Sequence, residues 1–142
     1  MAAIDALDDA PNAKAGLMFR ESLAADAAMV TVLRDPSGRM YMVYRPTRGG
    51  VLTKAGTANA GQGPYAKLVR RGDAFRGYCS SDGKNWTVIA DATVGMGEKI
   101  EMGMAVASHD PAALATATFS GFERIEPSSK KAPELEDVVD EE

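Results

Sequence analysis

The residues best able to do chemistry in this chain are arginines and tyrosines on segments that read as strands. Arg20, Arg45, Arg70 and Arg76 fall in such segments, with Tyr41, Tyr44 and Tyr78 near them in sequence. An arginine offers a planar fork of N–H donors, and a tyrosine offers an apolar ring with a hydroxyl. Proteins hold sugars with that combination. Gathered on one concave sheet, Arg20, Tyr41, Arg45, Arg70 and Tyr78 would make a glycan-binding surface. Spread over a flat sheet, the same residues would be a solvated face with its cross-strand pairs.

The acids suit catalysis less well. Glycoside hydrolysis takes two carboxyl groups across the scissile bond, about 5–9.5 Å apart depending on the stereochemical course. Glu98 and Glu101 are three positions apart, which sends them to opposite faces of a strand, and Glu21 stands alone at a strand end. They read as solvated edge charges. His109, the single histidine, precedes Asp110-Pro111 at a strand end and reads as a turn residue rather than a triad base. We therefore expect no enzyme activity. We also expect no cofactor; Asp8, Asp9 and Asn12 are the best oxygen donors for calcium, and they form no dense cluster.

Cys79 is the only cysteine, so neither an intrachain disulfide nor a cysteine-built zinc site can form. In a strand it reads as a small buried hydrophobe. The net charge of −4 is concentrated at one end, where residues 126–142 hold seven acids against two lysines. The rest is nearly neutral and has no basic cluster with interleaved aromatics, which argues against nucleic acid. No apolar run approaches the roughly 18 residues of a membrane-spanning helix. The opening MAAIDALDDAPNAK lacks the basic and apolar regions of a signal peptide.

The elements that must position these residues follow the strand period of two. Strands are expected over roughly 2–7, 14–21, 28–34, 39–45, 65–71, 74–80, 85–90, 99–108 and 116–125. In the ninth, Ile100, Met102, Met104 and Val106 alternate with Glu101, Gly103, Ala105 and Ala107. The small second set suggests close packing or a concave surface on that face. Asp35-Pro36-Ser37-Gly38 suits a type I turn, and Arg71-Gly72-Asp73-Ala74 and Ser81-Asp82-Gly83-Lys84 make two more. Asp82 is expected to cap its turn by accepting backbone N–H bonds. Trp86 is expected to pack in the core, and the methionines to serve as adaptable core filler. Gly49–Gly63 reads as a glycine-rich flexible loop. Leu23–Ala28 and Ala112–Ala115 are too short for stable helices, so a turn is expected at each. Many short strands with turns between them argue for an antiparallel sandwich.

Three blocks in order resemble the concanavalin A-like jelly-roll domains of the "regulation of enolase protein 1" type, whose function is unknown. The first is Ala13-Lys14-Ala15-Gly16-Leu17-Met18-Phe19-Arg20-Glu21-Ser22-Leu23. The second is Lys67-Leu68-Val69-Arg70-Arg71-Gly72 with Phe75, Gly77-Tyr78, Ser80-Ser81-Asp82-Gly83 and Trp86. The third is Gly103–His109 with Ala115-Thr116-Ala117-Thr118-Phe119. The family's domains begin several strands earlier, so the chain looks truncated at its N-terminus relative to them. An incomplete jelly roll would expose a sheet edge, open to a protein partner or to self-association. The resemblance implies a carbohydrate-binding or adhesive module, extracellular or at the cell surface. Together these readings give an all-β sandwich over residues 1–125, a disordered acidic tail over 126–142, and a non-catalytic binding role.

Overall fold

The computed structural model describes the backbone of residues 1–9, 13–57, 63–107, 115–121 and 123. The acidic tail, Asn12 and His109 lie outside them, as do the side chains of Asp8 and Asp9. Among the described residues there are ten strands: β1 (Ala2–Asp9), β2 (Lys14–Arg20), β3 (Met29–Arg34), β4 (Met40–Arg45), β5 (Thr53–Thr57), β6 (Tyr65–Arg71), β7 (Ala74–Ser80), β8 (Thr87–Thr93), β9 (Glu101–Ala107) and β10 (Ala115–Ser120). They form two antiparallel five-stranded sheets, β10-β1-β6-β7-β8 and β5-β4-β3-β2-β9. The described residues contain no helix, and Leu23–Ala28 is a turn closed by Ala27 N–H to the Ala24 carbonyl.

The sheets pack face to face because most of their strands turn alternate apolar side chains to one side. Ile4, Leu17, Val30, Val32, Met40, Met42, Leu68, Phe75 and Val94 fill the space between them. Cys79 is fully buried there, and burial raises its thiol pKa, as for an inert structural cysteine. Strand β1 is paired on both sides, which leaves β10, β8, β5 and β9 as the sheet edges. Beside β1, Met1 and Glu123 pair both ways, Glu123 N–H to the Met1 carbonyl (2.8 Å) and the Met1 ammonium to the Glu123 carbonyl (2.6 Å).

The turns use the expected chemistry. Gly72 and Gly83 sit at φ 60° and 77°, where glycine carries no steric penalty. Asp82 accepts from the backbone N–H groups of Lys84 and Asn85, both at 2.8 Å, and Ser80 Oγ donates to it at 2.9 Å. Asp35 closes its own turn through the N–H groups of Ser37 and Arg39.

Two expectations need correction. Residues 53–57 are not part of a flexible loop but form edge strand β5 on β4. The segment TKAGT has no apolar alternation. Its strand form comes from pairing with β4 and from the packing of Ala55 against the core. Trp86, in turn, does not lie between the sheets. Gly77 pairs with Ala90, yet Tyr78 pairs with Val88, so β8 carries one extra residue. That bulge reverses which positions face inward, and everything before it in β8 changes side. Ile89 and Ala90 both turn to the core. Tyr78, Val88 and the approach from Trp86 turn to the outer face.

Candidate functional site

The outer face of the β5-β4-β3-β2-β9 sheet carries a groove of about 680 Å³. Register places three rows across it. Glu101, Arg20, Met29 and Arg45 align in the first, Gly103, Met18, Thr31, Val43 and Lys54 in the second, and Ala105, Gly16, Leu33, Tyr41 and Thr57 in the third. Gly103 and Ala105 are the small residues expected to mark a concave surface, and they lie along it. The floor is apolar, from Met18, Leu33 and Val43, with Tyr41 only 6% exposed. Lys14 and Lys54 hold their ammonium groups 5.6 and 5.2 Å from the Tyr41 ring, near enough for cation–π attraction. Thr31 is buried in the floor and donates its hydroxyl to the Val43 carbonyl.

The structure divides the five candidate ligand residues. Arg20, Tyr41 and Arg45 share this outer face. Tyr78 is buried on the outer face of the opposite sheet, and Arg70 lies on the inner side of β6, over the Phe75 ring. The three arginines have a common occupation. Arg20 donates to the carbonyls of Ser22 and Ala24. Arg45 donates to those of Gly50 and Ala27. Arg70 donates to those of Gly72, Met96 and Gly97. Each fork holds a loop in place. Arg45 joins the loop after β2 to the loop after β4, and the Arg48–Asp26 pair with the Gly49 N–H to Asp26 carbonyl bond adds to that junction. The joined loops wall one end of the groove and present Leu23 and Leu52 to it.

Sequence reasoning did not single out Lys14, Leu23 or Leu52 as groove residues, or Lys54 as a neighbour of the Tyr41 ring. The alternation of β2 would have found Lys14, whereas Lys54 sits on β5, a strand that no local pattern marks. No local pattern marks the leucines, because the loops that carry them are placed by arginines elsewhere in the chain.

The outer face of the opposite sheet is more polar. The Lys67 ammonium stands 4.3 Å from the Trp86 ring and 5.0 Å from Tyr78. Arg76 and Asp91 form a bidentate pair across β7 and β8, at 2.6 and 3.0 Å. The Arg76 hydrogen bond holds the Asp91 carboxyl below its ordinary pKa of 3.8. A carboxylate with a lowered folded pKa adds stability that is complete above the unfolded value and is lost as pH falls through the folded value. The Asp91 side chain is 56% exposed, against 16% for Arg76, and solvent screening at the exposed carboxylate keeps the worth of the pair under about 1 kcal/mol. Wild type is expected to lose more stability than Arg76→Gln on going from about pH 5 to about pH 2.5, across the ordinary carboxylate range. Urea midpoints at both pH values check this; equal losses would remove Asp91 from the acid response.

Among the described residues, no group of three His, Cys, Asp or Glu side chains is placed to hold a metal ion. Glu101 is the one carboxylate that lines the groove among those residues. In comparisons with known proteins, no family model, no curated protein and no solved structure matches the chain.

Proposed function

We propose that the chain is a non-catalytic interaction module on a concanavalin A-like jelly roll, binding a protein segment along β9 and the adjoining groove. The two-sheet architecture, in which the chain passes between sheets after β1, β5, β8 and β9, supports the jelly-roll reading. The observation that carries the function is the state of β9. It is an edge strand, paired to β2 over seven residues without a register shift. Met102, Met104 and Val106 are 38%, 48% and 45% exposed along it. Proteins usually blunt an edge with lysine, proline or a bulge. Strand β5 carries Lys54 and a register shift, and β8 carries a bulge and Asp91. Strand β9 has Glu101 at one end and none of the other devices. An extended segment added there gains backbone hydrogen bonds from the edge and apolar contacts from its side chains.

Glycan binding in the groove is the second reading, favoured by the Tyr41 ring between two lysines. Against it, Arg20 and Arg45 already serve loop carbonyls, Tyr41 is nearly covered, and Arg70 and Tyr78 lie elsewhere. Among the described residues Glu101 is the one groove carboxylate, which favours binding over hydrolysis, a reaction that takes two. Peptide display against the chain is expected to enrich extended apolar segments whose binding is lost on Met104→Lys. Enriched peptides that bind the variant equally, or a glycan-array signal lost on Tyr41→Ala, would move the function off β9.

A further inference from the structure

Resting on the reading of β9 as an interaction edge, we infer that its partner is a second copy of this chain, joined β9 to β9 about a two-fold axis at Met104. Strand β9 has seven residues, so an antiparallel pair centred on Met104 leaves none unpaired. Glu101 then stands opposite Ala107 of the copy, Met102 opposite Val106, and Gly103 opposite Ala105. Every pair matches positions on the same face, groove side with groove side and core side with core side, so the two five-stranded sheets become one continuous sheet and both grooves stay on one face. Met102, Met104 and Val106 meet their counterparts in one apolar cluster across the axis, which would cover the surface they now expose.

Charge selects this partner over an arbitrary apolar strand. Lys14 is the register partner of Ala107 within the chain. In the pair, Glu101 of one copy lies in the same row as Lys14 of the other, with one alanine position between them. Two strand spacings are about 10 Å, a gap that the two side chains close when Lys14 swings from the Tyr41 ring, 5.6 Å from its ammonium in the single chain, toward the β9 edge. The contact occurs twice, once on each side of the axis, and no like charges face each other.

The test is sedimentation equilibrium of the full chain over a concentration series. Wild type is expected to dimerise, and Met104→Lys to be monomeric, because the axis sets the two new charges against each other. Lys14→Glu and Glu101→Lys each place like charges in the row, and each alone is expected to raise the dimer dissociation constant by about tenfold or more. Mixed one to one, they restore both opposite-charge contacts and should form a heterodimer of wild-type affinity. This rescue keeps the test decisive even if Met104→Lys fails to fold. A wild type that stays monomeric at about 100 µM overturns the inference, a concentration well above the Kd of a specific dimer. So does a dimer that survives all three variants, or a mixture with no gain. A monomeric wild type that still captures displayed peptides through Met104 overturns the self-pairing alone and leaves the interaction role standing.

Discussion

Phe75→Ala is expected to destabilise the chain by about 3–5 kcal/mol, the range for removing a buried aromatic side chain. Phe75 is fully buried on the inner face of β7. Its ring meets Phe19 of the opposite sheet at 5.9 Å between centroids, tilted by 58°. The Arg70 guanidinium lies 5.6 Å over the same ring while it holds the Gly72, Met96 and Gly97 carbonyls. Removing the ring opens a cavity between the sheets and withdraws the support under that clamp. A loss of this size is a large share of a domain's total stability, about 5–15 kcal/mol. In urea the unfolding midpoint should fall by roughly 2 M. Phe75→Leu keeps most of the volume and should cost less than half as much. Equal costs for the two would mean that filling the space recovers nothing and that the ring contacts carry the whole effect.

Gly16→Ala is the second large effect, and its cause is different. Gly16 lies in the middle of β2, and a methyl group there would stand 1.8 Å from the Val32 carbonyl oxygen. That oxygen is backbone, so no rotamer change relieves the clash. Strands β2 and β3 would have to move apart at the centre of the groove-bearing sheet. A glycine inside a strand often marks such a close backbone approach. Overpacking usually costs about 1–3 kcal/mol; with a backbone atom as the obstacle, a loss at or above about 3 kcal/mol is expected. Gly103→Ala is the matched control, since it lies on the same face of the same sheet with nothing within 4 Å of the added methyl. Thermal melts of both variants check the contrast. A Gly16→Ala protein as stable as Gly103→Ala would show that β2 and β3 are not so closely set.

How much of this was legible in the sequence depended on whether a local pattern existed. Strands such as Lys67–Arg71 and Glu101–Ala107 alternate, so their position and faces could be read directly. The Gly103 and Ala105 face led to the groove for the same reason. Strand β5 was not legible, because TKAGT is polar and small and takes its form from β4. The face of Trp86 was not legible either, because one extra residue in β8, invisible to alternation, reverses it. The arginines failed in a third way. Residue type showed that Arg20, Arg45 and Arg70 could grip a planar acceptor. Nothing in their spacing showed that the acceptors would be peptide carbonyls of loops, some of them more than twenty residues away. The candidate ligand donors thus became the fasteners of the groove wall, while the lysines beside Tyr41 were passed over.

The pairing of Met1 with Glu123 beside β1 and β10 has a mechanical consequence. The two strands run antiparallel from that point, so a tether pulling residues 1 and 123 apart loads only the first rung. Each broken rung passes the whole load to the next, and β10 peels from β1 in sequence. A pull between Met1 and Ala115, at the far end of β10, would strain every rung together in shear and meet far greater resistance. The sandwich is therefore soft along one axis of traction and stiff along another, whatever the strength of the core behind that seam.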